Sequence, residues 1–154
     1  LNQHPEMITT VATWWFNEWS YLNPNPGTVE SAIQSLHEKV NSNESLPHFL
    51  VAIENGQPIG TAALKLHELR DHFPDMKYWL GNVYVEKSAR QAGVASKLVQ
   101  DVERIAKSRK IPTLHLQTES LDGGLYKQLG WKPVTRLFDR GGEVLLMHKH
   151  LKDD

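Results

Sequence analysis

The sequence predicts an α/β domain in which helices cover both faces of a mixed central sheet. Three observations predict it. Apolar residues recur at spacings of three and four in three separate stretches, the pattern of amphipathic helices. Runs rich in β-formers and bounded by turn residues lie between and after those stretches, two of them joined by Asn55-Gly56. One such run, Leu80 to Val85, passes through a polar turn directly into a helical pattern and on to another strand, so this crossover demands parallel neighbours.

The elements follow in order. His4 to Trp19 carries Ile8, Val11, Ala12, Trp15 and Trp19 on one face, with Trp14 and Phe16 widening it. A helix packed on a sheet explains this pattern, and so does a helix whose aromatics line a pocket mouth. Ser20 to Thr28 is a loop with two prolines and a glycine, and Thr28 offers an N-cap to a second helix ending at Val40. His48 to Ile53 and Ile59 to Leu66 form a hairpin around Asn55-Gly56. His67 to Lys77 is charged and irregular. A third strand, Tyr78 to Val85, leads to a third helix, Ala92 to Ser108. A strand from Pro112 alternates Leu114 and Leu116 against His115 and Gln117. Leu121 to Leu129 is a short helix with Gly130 as its left-handed cap. Trp131 to Leu137 and Glu143 to His150 make a closing hairpin.

Composition bounds the function. The chain has 154 residues, read as a single domain over 1–154, with a formal net charge of −1 and no cysteine. No broad basic field calls for nucleic acid, and no apolar run approaches a membrane span. Without cysteine there are no disulfides, thiolate metal sites or thiol nucleophiles, which fits a cytoplasmic setting. His148 and His150 share a strand face, yet no third ligand has recognisable spacing, so no metal site is expected. No Gly-x-Ser-x-Gly elbow, three-glycine dinucleotide turn or Gly-Lys-Ser/Thr loop is present.

Leu80 to Val102 is the stretch around which the rest is organised. A strand feeding a small-residue turn and a helix start makes an anion site, because the first helical turn has unpaired N–H groups and the positive end of the dipole. Gly93 and Ala95 keep that turn clear of side chains.

These residues resemble the GNAT acetyltransferases, which move acetyl from acetyl-CoA to an amine. The family's cofactor motif is Arg or Gln, two residues, Gly, one residue, then Gly or Ala. Here it reads Arg90, Gln91, Ala92, Gly93, Val94, Ala95, behind the strand Asn82 to Val85. The family's second motif resembles Leu125, Tyr126, Gly130 and Trp131 in LYKQLGW. Element order matches from the first helix to the last strand. Only the family's first strand is unaccounted for, and the expectation is a sequence that starts after it.

The resemblance implies the GNAT acyl-CoA N-acyltransferase fold and specific roles. Asn82 to Val85 would splay from Thr113 to Gln117, and backbone groups of Val83 and Val85 would hold the pantetheine arm like an added strand, with Tyr84 between them in the same cofactor-binding stretch. A backbone N–H there would steady the oxyanion. Backbone N–H groups of Gln91, Ala92, Gly93, Val94, Ala95 and Ser96 would hold the pyrophosphate, with Arg90 adding charge or bracing the loop. Tyr126 would protonate the departing thiolate. Glu119 stands where many members have Asn, so a pantetheine contact is replaced by a carboxylate that could attract a cationic amine or help remove its proton. Glu18, His67, Glu68, Asp71 and Asp75 also lie where an acceptor site could form, and the sequence does not choose among them. The acceptor implied is a small-molecule amine or a peptide N-terminus, with Tyr78 and Trp79 among the aromatics suited to it, and the near-neutral charge argues against a highly basic protein partner. The alternative is a module that binds acetyl-CoA or CoA without transfer. Oligomeric state is not legible.

Overall fold

A computed structural model describes residues 1–151. Its centre is a six-stranded sheet in the order β1-β2-β3-β4-β6-β5. The strands are β1 (His48–Glu54), β2 (Gln57–Lys65), β3 (Trp79–Val85), β4 (Thr113–Thr118), β5 (Lys132–Asp139) and β6 (Gly142–His150). Every neighbouring pair is antiparallel except β3 with β4, the pair joined by the helical crossover. The mixed sheet expected from the element order is therefore the one found.

Local chemistry sets the boundaries. Helix α1 (Ile8–Trp19) begins only after a 3-10 turn at Pro5–Met7, later than the apolar pattern suggests, because Pro5 opens the tighter turn. Helix α2 (Val29–Val40) starts at Thr28 as expected. The Thr28 hydroxyl accepts the Ser31 N–H at 3.1 Å, and the Ser31 hydroxyl accepts the Thr28 N–H at 3.0 Å. Asn55 and Gly56 both have positive φ, 51° and 76°, as their hairpin turn requires. Helix α3 (Val94–Ser108) begins two residues after the expected Ala92, since Gly93 is left-handed at its N-cap. Helix α4 is only Gly124–Gln128 rather than Leu121–Leu129. Gly123 and Gly124 are both left-handed, and the Asp122 carboxylate accepts the Gly124 N–H at 3.0 Å, which makes a turn of the preceding residues.

The two faces of the sheet bury different cores. On one, α3 places Leu98, Val99, Val102 and Ala106 against Leu64, Leu80, Leu114, Leu116 and Met147, with Trp131 completing the layer. On the other, Ile8, Val11 and Ala12 of α1 pack with Leu36 of α2 on Phe49 and Ala63. The segment between β2 and β3 extends this second layer, with Leu69 beside Trp79 and Leu146. We call these the α3 face and the α1 face. Among the described residues, no strand precedes α1 and no helix is long and apolar enough to cross a membrane.

Candidate active site

The site begins with a failure of pairing. Parallel strands β3 and β4 share one registered pair, Trp79 with His115, supported by the His115 N–H donating to the Tyr78 carbonyl at 3.0 Å. Both strands then continue, to Val85 and Thr118, without further pairing. The sheet thus carries a wedge whose apex is Trp79–His115 and whose two inner edges offer backbone groups.

A bulge aims one of those edges. The β2–β3 register shifts between Thr61 and Ala63, opposite Asn82, whose φ is 52°. A positive φ away from glycine is uncommon, and Asn is among the residues that tolerate it best. Two side chains hold it there. The Thr61 hydroxyl donates to the Asn82 carbonyl at 2.8 Å, and the Trp15 indole N–H donates to that hydroxyl at 3.0 Å. Thr61 is fully buried. The pocket-mouth reading of the first helix is thereby qualified: Trp15 packs on Phe49 and anchors the bulge.

At the open end of the wedge, β3 runs into a 3-10 turn at Lys87–Ala89 and then into Gly93, which has φ 82°. No side chain caps the first turn of α3, formed by Val94, Ala95 and Ser96. Gln91 is also left-handed, φ 67°, so the turn is tightly coiled ahead of the helix. Arg90 braces it: its Nε donates to the Val85 carbonyl at 2.9 Å, and its guanidinium lies over the Tyr84 ring at 5.6 Å. Tyr84 itself points to the α1 face, against Trp14 and Trp19. Val83 and Tyr126 pack against the core on the α3 face. A groove of about 440 Å³ adjoins Ala92 and Gly93 and continues between α3 and β1.

Tyr126 rises from α4, edge-on to Trp131 at 6.3 Å. Burial, and then the carboxylate charge of Glu68, push its phenol from near 10 up to about 12. Glu68 lies on the α1 face, since Lys65 and Gln117 hold it there. Lys65 Nζ approaches its Oε1 at 3.1 Å, and Gln117 Nε2 donates to its Oε2 at 3.2 Å. Glu119 lies instead at the outer rim, accepting a hydrogen bond from the exposed Tyr21 hydroxyl at 3.1 Å. That bond pushes the Tyr21 phenol up. It also ties the turn after α1 to the loop after β4.

Residues from the two sequence motifs, Val83, Val94 and Tyr126, thus pack against one core cluster on the α3 face. Glu119 is exposed just beyond the end of β4. The structure also corrects Trp79 as an acceptor contact: that ring is fully buried, its N–H spent on the Met76 carbonyl at 2.8 Å. His148 and His150 do stack, at 4.7 Å, but among the described residues no group of three or more His, Asp or Glu could hold a metal ion. Thr61, Gln117 and the choice of Glu68 were missed from sequence. Gly81 carried a usable signal, because a glycine inside a strand marks a bulge or a close approach. A Cβ on Gly81 would stand 2.6 Å from Glu68 Oε1.

Comparison with known proteins agrees with this geometry. A family model described as an acetyltransferase (GNAT) domain matches residues 45–133, more than half of the chain. A ribosomal-protein-alanine N-acetyltransferase from Brucella melitensis superposes with a TM-score of 0.73 at 22% identity, covering 98% of this chain and 96% of that one. An aminoglycoside 6'-acetyltransferase type Ii gives 0.72 at 19% identity, covering 100% and 96%. An aminoglycoside 6'-N-acetyltransferase complexed with coenzyme A gives 0.67 at 16% identity, covering 93% and 92%. At these identities the likeness establishes the fold. No curated protein sequence matches the chain.

Proposed function

The chain belongs to the GNAT acetyltransferase family, and on that premise we propose that it transfers acetyl from acetyl-CoA to the amine of a small molecule or a peptide N-terminus by direct attack on the thioester. The observation that carries this reading is the wedge: two strands that stop pairing after Trp79–His115, with an uncapped helix start at one end and the partly buried Tyr126 on the α3 face.

The donor fits that wedge residue by residue. Backbone groups of Val83 and Val85 form the edge that pairs with the pantetheine arm, as an added strand would, while Tyr84 between them turns its backbone to Thr61 of β2. Part of the Val85 carbonyl is already engaged by Arg90, so Arg90 braces the strand end in addition to any charge it adds. N–H groups from Gln91, Ala92 and Gly93 through Val94, Ala95 and Ser96 converge on the pyrophosphate, helped by the α3 dipole. The bulge at Asn82 turns the following N–H groups inward, where one steadies the oxyanion as the tetrahedral intermediate forms.

Chemistry then needs one proton removed from nitrogen and one delivered to sulfur. Tyr126, whose pKa is raised to about 12, is a phenol at neutral pH and stands as a hydrogen-bond donor for the departing thiolate. Glu119, at the rim beside Tyr21, is suited to drawing in a cationic amine. Both reactants sit on one rigid scaffold, and proximity supplies much of the acceleration. The absence of cysteine supports a cytoplasmic setting.

The test is thiol release from acetyl-CoA across polyamines, amino acids, aminoglycosides and short peptides. The expected result is release with one amine class, together with thermal stabilisation by acetyl-CoA. Stabilisation without release for any amine would replace transfer by a binding role.

A further inference from the structure

We infer that Glu68 is the group that meets the acceptor amine: braced between Lys65 and Gln117 on the α1 face of the wedge, its carboxylate takes the proton that nitrogen gives up. The inference rests on the transferase reading above and names a residue for its unassigned step.

Position is the first argument. Gly81 on β3 and Gln117 on β4 each lie two residues beyond the apex pair Trp79–His115, so they are the first residues past it on the same face. Glu68 bridges them. Its Oε2 accepts from Gln117 Nε2 at 3.2 Å, and its Oε1 lies 2.6 Å from where a Cβ on Gly81 would stand. The carboxylate occupies space that only a glycine on β3 leaves. It therefore spans the gap just where the strands part, on the face opposite α3 and α4.

Orientation is the second. Lys65 Nζ holds Oε1 at 3.1 Å, and the Glu68 side chain is only 15% exposed. Each carboxylate oxygen has two acceptor positions, so one bond to each leaves both able to accept an incoming N–H. Glu119, by contrast, sits on the exposed rim with Tyr21.

Coupling is the third. Tyr126 approaches the wedge from the α3 face, and the Glu68 charge contributes to its raised pKa. The charged and titratable groups that face Glu68 are Lys65 from β2 and Tyr126 from α4; Gln117 from β4 is neutral. As the carboxylate is protonated, its push on the phenol disappears, and Tyr126 becomes a better acid as sulfur leaves. The step balances. Nitrogen bonds to the acetyl carbon and the carbon–sulfur bond breaks. The amine arrives as an ammonium and gives one proton to Glu68 before it attacks. Tyr126 gives a proton to sulfur as it leaves, and the second nitrogen proton returns to the Tyr126 phenolate. Glu68 then releases its proton to solvent.

The test compares wild type with Glu68→Gln, which keeps the side chain's shape while removing its charge. With the best amine from the panel, kcat at neutral pH is expected to fall on the order of 10²-fold. The deficit should shrink as pH rises, because the amine then arrives already deprotonated. Thermal stabilisation by acetyl-CoA should match wild type. Gly81→Ala, which displaces the same carboxylate without removing it, should reproduce part of the loss. Wild-type turnover in Glu68→Gln overturns the inference and leaves the transferase reading standing. So does a deficit that is flat with pH and accompanied by weaker acetyl-CoA stabilisation, since that marks a structural role. If wild type itself releases no thiol with any amine, the transferase reading fails and this inference with it.

Discussion

The two sides of the wedge are built by different rules. The side proposed for the donor is one contiguous stretch, β3 through the first turn of α3, and its offered groups are almost all backbone. The side proposed for the acceptor is assembled from Tyr21, Glu68, Gln117 and Glu119, which come from separate parts of the chain and act through side chains. A backbone site needs only the right turn, so its signature is local and tolerant of side-chain identity. A side-chain site depends on long-range contacts, so it can be re-specified by changing a few distant residues while the cradle stays the same. Donor chemistry is thereby common to a fold, and acceptor choice belongs to the individual chain.

The largest break in this contrast should come where the two sides meet. Tyr126→Phe is expected to lower kcat by about 10²-fold or more with acetyl-CoA stabilisation retained; unchanged turnover would remove the acid role. The same variant reports on alkaline stability. The phenol's folded pKa of about 12 lies above its ordinary value near 10, so its stabilising contribution is complete below pH 10 and is lost as pH rises from there toward 12. Wild type should lose on the order of 2–3 kcal/mol more than Tyr126→Phe over that window, measured by denaturant unfolding at each pH.

The next effects test whether the donor side truly stands on backbone geometry. Thr61→Val removes the hydroxyl between Trp15 and Asn82, leaving a buried carbonyl and an indole N–H without partners. That should cost about 1–3 kcal/mol, seen as a melting temperature several degrees lower. It should also raise KM for acetyl-CoA more than KM for the amine, with Thr61→Ser restoring both. Equal changes in the two KM values would mean the bulge does not aim the donor edge. Gly93→Ala forces φ 82° on a residue with a Cβ, at a cost of about 1–2 kcal/mol. Because nothing lies within 4 Å of the new Cβ, the penalty is conformational, and acetyl-CoA affinity should weaken roughly 10-fold through distortion of the turn.

This division also explains what could be read from the sequence. The Thr28 cap, the Asn55-Gly56 turn and the α3 stripe were legible because capping, turn chemistry and helical spacing are local rules. The Gly93 turn into α3 and the short helix carrying Tyr126 were legible through their motifs, which lie within short windows. Glu68 was visible only as one of five titratable residues, since its selection depends on Gln117, forty-nine positions away. Thr61 reads as an ordinary strand residue until the Asn82 bulge is seen across from it. The boundary errors at α1 and α4 have one cause: apolar spacing extended the helices over turns that Pro5, Gly123 and Gly124 dictate.

The smallest expected effect sharpens the acceptor side itself. Glu119 is the carboxylate that motif spacing pointed to, and it lies at the rim in a solvent-exposed hydrogen bond with Tyr21. An exposed carboxylate acts on a cationic ligand through a screened field, worth at most about 1 kcal/mol. Glu119→Gln should therefore raise KM for a cationic amine by no more than about fivefold, leave kcat and the pH profile unchanged, and lose its effect at high salt. The comparison with Glu68→Gln is what matters. If removing the rim charge lowered kcat and removing the inner charge did not, the proton would leave through the loop after β4, and the roles of the two carboxylates would be exchanged.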